Sequence, residues 1–450
     1  MQSKLLQTYG EARLPRYTSY PTAPLFSPQV DAATHAEWLA GLAADDTASL
    51  YFHVPFCRSM CWYCGCHTTI VARDEPIAAY MKALNAEIDT VAARIPHRQP
   101  VGHIHFGGGT PTIMTPDQFT TLMARLRRDF DILPEAELAI EIDPRRLEQP
   151  VLDALAAGGI NRASLGVQTF DPKIQLAINR VQTVECTRSA VDGLRAAGIA
   201  QVNFDLIYGL PHQSVESCRD TVAKAIAMRP DRLAVFGYAH VPDFKKHQRL
   251  IPTEALPDGP ARADQAEAIA EALIAAGYVQ IGLDHFALPE DELAIAQAEG
   301  RLRRNFQGYT VDECEVLIGF GASAIGRSRH GHVQNEVAIN RYSTRVLAGE
   351  LATARGYRLT ADDRLRADLI ERLMCDFEVD IGAICAAHGA DPASLIEGND
   401  RLAQALAEGM AEMDDLRLCM KGGYRFLVRV VAAAFDAHLE KAPRRFGQTA

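Results

Sequence analysis

Four cysteines stand close together at Cys57, Cys61, Cys64 and Cys66. The first three are spaced C-x₃-C-x₂-C. Thiolates packed this closely on one loop can converge on a single soft metal centre. Iron–sulfur clusters are held by cysteine thiolates and normally take four, so a loop supplying three leaves one iron for a ligand that is not protein. Zinc usually shows two separated ligand pairs, and the chain has no second C-x-x-C. A disulfide staple does not suit a chain of this size with no secretion signal, and scattered core cysteines do not bunch in this way. Cys66 is spare once three thiols have been committed. It is either a small buried residue in a tight Cys-Gly-Cys turn or a group working beside the cofactor.

The elements that must position this loop can be read around it. An apolar run, Leu50 to Val54, precedes the cysteines and a proline ends it, as a strand feeding a loop would. Further strands are predicted at Leu138–Ile142, Arg162–Leu165 and over 103–106, 201–207 and 232–236. Helices are predicted at 77–93, 116–130, 150–157, 184–197 and 215–228. Strand-then-helix order repeated six times implies parallel strands with right-handed crossovers, and so a partial TIM-like barrel. In such barrels the chemistry sits at the C-terminal ends of the strands, which is where the cysteine loop falls. A helix over 258–277, one further strand over 278–286 and loop-forming segments at 304–310 and 319–326 are expected next. After about Ser343, helical stretches at 359–373, 380–388 and 394–413, with a final apolar-faced helix or strand–helix at 424–441, read as a small, mainly helical accessory domain. The fold class is α/β, divided into an N-terminal arm (1–45), a catalytic domain (46–342) and the accessory domain (343–450).

Several residues at the strand ends are chemical candidates. Gly107–Thr112 follows the second strand; glycines let a backbone approach a ligand and expose amides, although a tight turn explains them equally well. It lacks the Gly-Lys-Ser/Thr ending of a Walker loop. Glu141 and Asp205 interrupt apolar strands, and buried carboxylates are costly unless paired. Each is either a structural cap or a group facing the barrel interior. Arg180 suits a carboxylate ligand through its planar fork, but on residue type alone a helical arginine is a solvated side chain. His53, His103, His105, His240 and His285 read as core histidines.

The loop from Tyr51 to Cys66 resembles the signature of radical S-adenosylmethionine (SAM) enzymes. More narrowly, Tyr51-Phe52-His53-Val54-Pro55-Phe56-Cys57, the ending Cys64-Gly65-Cys66 and the arm segment Pro15-Arg16-Tyr17-Thr18-Ser19-Tyr20-Pro21-Thr22 resemble the oxygen-independent coproporphyrinogen III oxidases. The segments Phe236–His240, Arg304–Thr310 and Gly282–Ala287 carry the same likeness. The resemblance implies a 4Fe–4S cluster on Cys57, Cys61 and Cys64, with SAM on the fourth iron and a second SAM nearby. It implies SAM contacts from Tyr51, Tyr63, Gly108, Gly109, Thr110, Glu141, Gln168, Arg180, Asp205, Ala239, Gln307 and Ile325. Asp205, Gln307 and Ile325 would serve the second molecule, Cys66 would be catalytic, and the arm would reach over the active-site mouth. The implied reaction is anaerobic oxidative decarboxylation of two propionates of coproporphyrinogen III, giving protoporphyrinogen IX in haem biosynthesis. A flavodoxin or ferredoxin would donate the electron. The alternatives within the superfamily are a haem chaperone, which usually has Phe where this chain has Cys66, and a haem-opening methyltransferase. The Asp414–Tyr424 stretch looks shorter than the family's usual segment.

Composition sets limits. With 450 residues, 48% apolar and 23% charged, the chain can bury a sizeable core, and its length allows about three domains. A formal net charge of −11 argues against nucleic acid. An anionic porphyrinogen would therefore need a local basic patch, in which Arg16 is expected. Met1 to Leu6 has no apolar h-region, and no run of eighteen apolar residues is present, so neither a signal peptide nor a membrane span is expected. Ten cysteines then read as thiols in a reducing cytoplasm, in a protein expected to act as a monomer.

Overall fold

The computed structural model describes residue 9 and residues 14–440. Met1–Leu6, the start of the expected arm and the last residue of the expected 424–441 element lie outside the described residues. One twelve-stranded sheet organises the chain. Its strands are β1 (Ala48–Val54), β2 (Pro100–Gly108), β3 (Asp131–Ile142), β4 (Arg162–Gln168), β5 (Gln201–Tyr208), β6 (Arg232–Gly237), β7 (Val279–Ile281), β8 (His285–Ala287), β9 (Val316–Phe320), β10 (Ile325–Ser328), β11 (Gly331–Asn335) and β12 (Thr353–Arg358). The spatial order is β12-β11-β10-β9-β1-β2-β3-β4-β5-β6-β8-β7. From β9 through β1 to β6 every neighbouring pair is parallel. The six strand–helix units make the expected partial TIM-like barrel, and antiparallel strands extend it at both ends.

Strand alternation decides what faces the site. Leu50, Phe52 and Val54 of β1 are buried on the helix side, where Phe52 stacks between Phe106 and Phe320 at 5.0 and 4.8 Å. The intervening Tyr51 and His53 point the other way, toward the interior. Helix starts are fixed by side chains that accept the first free amides: Thr115 with Gln118 and Ser214 with Ser217 form reciprocal boxes, and Asp171 and Thr183 cap their own helices.

Three local expectations are corrected. The stretch 278–286 is not one strand but the hairpin β7–β8, turned at Gly282, whose φ is +54°. A Cβ there would sit 2.0 Å from the Tyr309 ring, so only glycine fits. The expected loops at 304–310 and 319–326 hold a small hairpin (Arg303–Asn305 with Gly308–Thr310) and the β9–β10 connection. The helix expected over 394–413 is broken at Gly398 and Gly409, both in the left-handed region. It yields two short helices and a strand, Ala411–Asp414, of a three-stranded sheet with Glu378–Asp380 and Arg417–Met420.

Two main hydrophobic cores result. One lies between the sheet and its helices; the other lies among the helices after residue 360. The arm belongs to the second. Tyr17 and Tyr20 are buried in it, with the Tyr17 hydroxyl on Asp436 at 3.1 Å and the Ala437 amide on the Tyr20 hydroxyl at 3.0 Å. Among the described residues no helix is long and apolar enough to cross a membrane.

Candidate active site

The cysteine loop is pinned at its base and along its backbone. Phe56–Cys57 pairs in parallel with Thr69–Ile70, closing the loop. Its carbonyls are then satisfied by side chains from distant segments. Asn179 donates to Met60 O (2.8 Å), Gln248 to Tyr63 O (2.9 Å), His247 to Cys64 O (2.7 Å) and Lys245 to Cys66 O (2.9 Å). An irregular loop with its backbone groups paired in this way is held in one shape.

Each of the three thiols meets hydrogen-bond donors. The Cys57 sulfur lies 3.4 Å from the hydroxyls of both Thr110 and Thr68. The Cys61 sulfur accepts from Arg180 Nη1 at 3.5 Å and Arg145 Nη2 at 3.9 Å. The Cys64 sulfur accepts the Cys66 amide at 3.4 Å. Hydrogen bonding from Cys66, with help from His247 and Lys245, brings the Cys64 thiol down to about 6, while the Cys66 thiol moves far up in its turn. Cys57 feels the charges of both Cys61 and Cys64. Three soft donors within mutual electrostatic reach, with cations and hydroxyls aimed at the sulfurs, suit a site-differentiated 4Fe–4S cluster.

The glycine segment packs against this loop with no room for side chains. A Cβ on Gly107 would meet Glu141 Oε1 at 2.8 Å, one on Gly108 the His53 ring at 2.7 Å, and one on Gly109 the Phe56 carbonyl at 2.6 Å. The amides are not exposed as expected. Those of Gly108, Gly109 and Thr110 go to Glu141, Val54 O and Phe56 O, all within the fold. The segment's glycines are thus required by this close packing, with Glu141 held against its backbone.

Glu141 and Asp205 share the barrel interior but differ in charge state. Burial pushes Glu141 up, but His105 (3.3 Å), the Gly108 amide (3.1 Å) and His53 outweigh it and hold the carboxyl below its ordinary value. Asp205 receives only long bonds from Ser164 (3.4 Å), and burial with the neighbouring Glu141 lifts it to about 7. Both line a cavity of about 170 Å³, together with His105, Ser164, Phe236 and Gln307. Tyr51 stands beside it, stacked on His105 and bonded to His53 Nδ1 at 3.0 Å.

Arg180 is neither helical nor solvated. It follows the end of the helix Pro172–Ala177, after Asn179 at φ +53°, and is 7% exposed. Its Nη2 donates to Gly166 O, its Nη1 reaches Cys61, and Asp143 stands 3.5 Å away. Gln168 ends β4 at φ +68° after an irregularity in the ladder with β5. Tyr63 packs beside Trp62 on Ile174, Ile178 and Tyr238, and the Ala239 carbonyl accepts from Gln248. Ile325 begins β10, its backbone against Gly319, which pairs with Tyr51. Gln307 stands at the turn of the small hairpin and lines the cavity.

Residue type and spacing did not reveal Asp143, Arg145, His247 or Gln248. Asp143 and Arg145 form a two-bonded pair at 2.8 and 2.6 Å immediately after β3. Their place at the end of a parallel strand was the available signal. His53 and His105, read as core histidines, are partnered as expected and face the site.

The geometry agrees with known proteins. The radical SAM superfamily model matches residues 51–225. The oxygen-independent coproporphyrinogen III oxidase of Bradyrhizobium diazoefficiens is 62% identical over 440 residues, 98% of each chain. That of Paracoccus denitrificans is 45% identical over 97% of each. The solved coproporphyrinogen III oxidase of Escherichia coli, described as a radical SAM enzyme, superposes with a TM-score of 0.90 at 37% identity, covering 94% of this chain and 98% of that one. With such identity across nearly its whole length, the chain belongs to the family of oxygen-independent coproporphyrinogen III oxidases, within the radical SAM superfamily.

Proposed function

We propose that the protein oxidatively decarboxylates two propionates of coproporphyrinogen III to vinyl groups, yielding protoporphyrinogen IX. Each propionate loses a hydrogen atom from its β-carbon, then carbon dioxide and one electron, the electron passing to an acceptor. The observation that carries this reading is the placement of Cys57, Cys61 and Cys64 on one pinned loop, within electrostatic reach of one another and each with its own donors, against the close-packed glycine segment. When bound, the 4Fe–4S cluster and SAM supply reductive cleavage of SAM and hence a radical able to take that hydrogen.

The chain's own residues do the positioning. Cys57, Cys61 and Cys64 hold the cluster. Gly108, Gly109 and Thr110 admit the methionyl end of SAM, with Glu141, ionised by its bonds to His105 and Gly108, facing its ammonium. Arg180 and Gln168 address its carboxylate end, and Tyr51, Tyr63 and Ala239 complete the wall. Asp205, Gln307 and Ile325 serve a second SAM. Asp205 is partly protonated near neutral pH, so it can donate as well as accept. Cys66, on the exposed edge of the loop, acts in turnover and is not a cluster ligand.

The chain divides into an arm (1–45), a catalytic part (46–342) and an accessory part (343–450). The second core, from Leu365 onward, supports a separate accessory part, while Val346, Leu351, Ala352 and β12 pack with the catalytic sheet and Tyr17 and Tyr20 of the arm pack with the accessory part. It acts as a cytoplasmic monomer reduced by a flavodoxin or ferredoxin, in keeping with ten free cysteines.

The test is an anaerobic assay with SAM, a reductant and coproporphyrinogen III, following protoporphyrinogen. Wild type should form product. Cys61→Ala should give neither product nor a SAM-responsive cluster signal. A cluster-loaded wild type that cleaves SAM and leaves coproporphyrinogen III intact would overturn the reading.

A further inference from the structure

Four arginines from four separate segments meet at the ends of β5 and β6. Arg16 comes from the arm and is exposed; Arg262 comes from the first turn of the helix Gly259–Ala275; Arg304 comes from the small hairpin; Arg429 comes from the short helix Val428–Ala432. Contacts fix their places. Arg262 donates to Tyr238 O at 2.9 Å and lies over the ring of Tyr208, the last residue of β5. Arg304 lies 4.4 Å over the Tyr309 ring and donates to Arg16 O at 3.4 Å, tying the arm to the mouth. Tyr309 in turn accepts the Leu283 amide, beside Asp284. Among the described residues, Asp284 is the carboxylate facing this group, and it is already bonded to His285 at 2.8 Å.

Positive charge gathered in a half-buried place needs an anion. Arg304 is 8% exposed, and its Nε and Nη1 are buried without partners, as is Nε of Arg262. Burial together with Arg16 brings Arg429 down to about 10, and burial also lowers Arg262. Such a group is costly when empty and favourable when a carboxylate enters. It lies at the end of the barrel where the cysteine loop opens, in a chain whose overall charge is −11.

We infer that Arg16, Arg262, Arg304 and Arg429 form the seat for a propionate carboxylate of the tetrapyrrole substrate. The inference rests on the function proposed above and adds the residues that recognise the substrate. Arg16 and Arg262, at the open side, make the direct bonds. Arg304 supplies charge from behind the Tyr309 ring and holds the arm in place. Only local charges can do this, because attraction between exposed groups is screened beyond about 10 Å at 0.1 M salt.

A carboxylate could also arrive on SAM, so the test separates the two sources. Binding of coproporphyrinogen III, of its tetramethyl ester and of SAM would be measured by anaerobic ultrafiltration on cluster-loaded wild type, Arg16→Gln and Arg262→Gln. Each substitution should weaken binding of the free acid about tenfold to a hundredfold, the range of a charge-assisted hydrogen bond. Ester binding, SAM binding and iron per chain should stay as in wild type. Arg16 is exposed, so that variant keeps the fold, which a thermal melt would confirm. Unchanged acid binding, an equal loss for acid and ester, or a loss confined to SAM would each overturn the seat. A wild type that converts coproporphyrinogen III while both variants bind it normally would sink the seat and leave the proposed function standing. A wild type that neither binds nor converts it would sink the proposed function, and with it the ligand named here.

Discussion

The two ends of the barrel handle charge in opposite ways. At the floor, where the strands begin, Arg162 and Arg232 meet Glu137 and Asp291. Arg162 bonds Glu137 at 2.8 Å and stands 3.6 Å from Asp291, which bonds Arg232 at 2.6 Å. Two cations face two anions, and both arginines are nearly excluded from solvent. At the mouth, four arginines face Asp284. A barrel floor is usually filled by branched apolar layers. Here it is filled by a neutralised ionic layer that closes the cavity from below. Balanced charge closes the structure, whereas surplus charge at the mouth marks where a ligand completes it. The cluster side lies between these cases: Asp143 stands against both arginines near Cys61, and the Cys61 sulfur accepts from each of them.

The largest effect expected is at the floor. Arg162→Met takes the closest partner from half-buried Glu137 and a neighbouring cation from buried Asp291, and breaking such a pair typically costs up to about 3–5 kcal/mol. Urea unfolding should show that loss. A variant as stable as wild type would mean the floor is not a closed ionic layer, and the contrast with the mouth would fail.

Next in size is the effect of pH, which should act on the two interior carboxylates with opposite sign. Burial pushes Glu137 up, but Arg162 and Arg232 win and hold it to about 2. Its contribution is therefore present above its unfolded value of about 4.3 and is lost as pH falls toward 2. Asp205 is raised to about 7. Its contribution is present below an unfolded value of about 3.9 and is lost as pH rises to 7. Asp205→Asn should flatten the decline between pH 4 and 7 and leave the acid limb unchanged. An unaltered slope over that window in the ligand-free protein would show that Asp205 is ionised throughout.

A smaller effect should appear at the cluster. Arg145→Gln removes a cation 3.9 Å from the Cys61 sulfur and leaves Arg180 in place. Positive charge and hydrogen bonds at the sulfurs favour the reduced cluster. The substitution should shift the midpoint potential to a more negative value in an EPR-monitored titration, with iron content unchanged. An unmoved potential would make Arg145 a partner of Asp143 alone.

What the sequence disclosed and what it hid follow the same division. The parallel strands were legible because both faces of each are covered, so their apolar runs are plain, and the cysteine loop was legible because its ligands are local. Arg180 was misread because a left-handed Asn179 turns the chain after a helix of only six residues and buries the guanidinium, which no periodicity reports. The β7–β8 hairpin was hidden because its turn depends on the distant Tyr309 leaving no room for a Cβ at Gly282. Both charged layers were hidden for a further reason. Arg162, Arg232, Glu137 and Asp291 come from four elements, as do the arginines of the mouth, and only the closed sheet brings them together. Arg16 was the exception, picked out because an acidic chain with an anionic substrate needs cations somewhere.

The smallest effect sharpens the comparison most. Arg16→Gln should leave stability within about 0.5 kcal/mol of wild type, as exposed substitutions usually do. The sign still matters. In the ligand-free protein Arg16 lies close enough to Arg429 to disfavour its charge, so removing Arg16 relieves repulsion and should not destabilise. Added coproporphyrinogen III should then raise the melting temperature of wild type more than that of the variant, because a ligand that binds only the folded state stabilises in proportion to its affinity. At the floor, no ligand should rescue Arg162→Met, since the missing charge belongs to the fold itself. If Arg16→Gln were instead strongly destabilised and insensitive to substrate, the mouth would be a structural ion layer like the floor, and the distinction between the two ends would disappear.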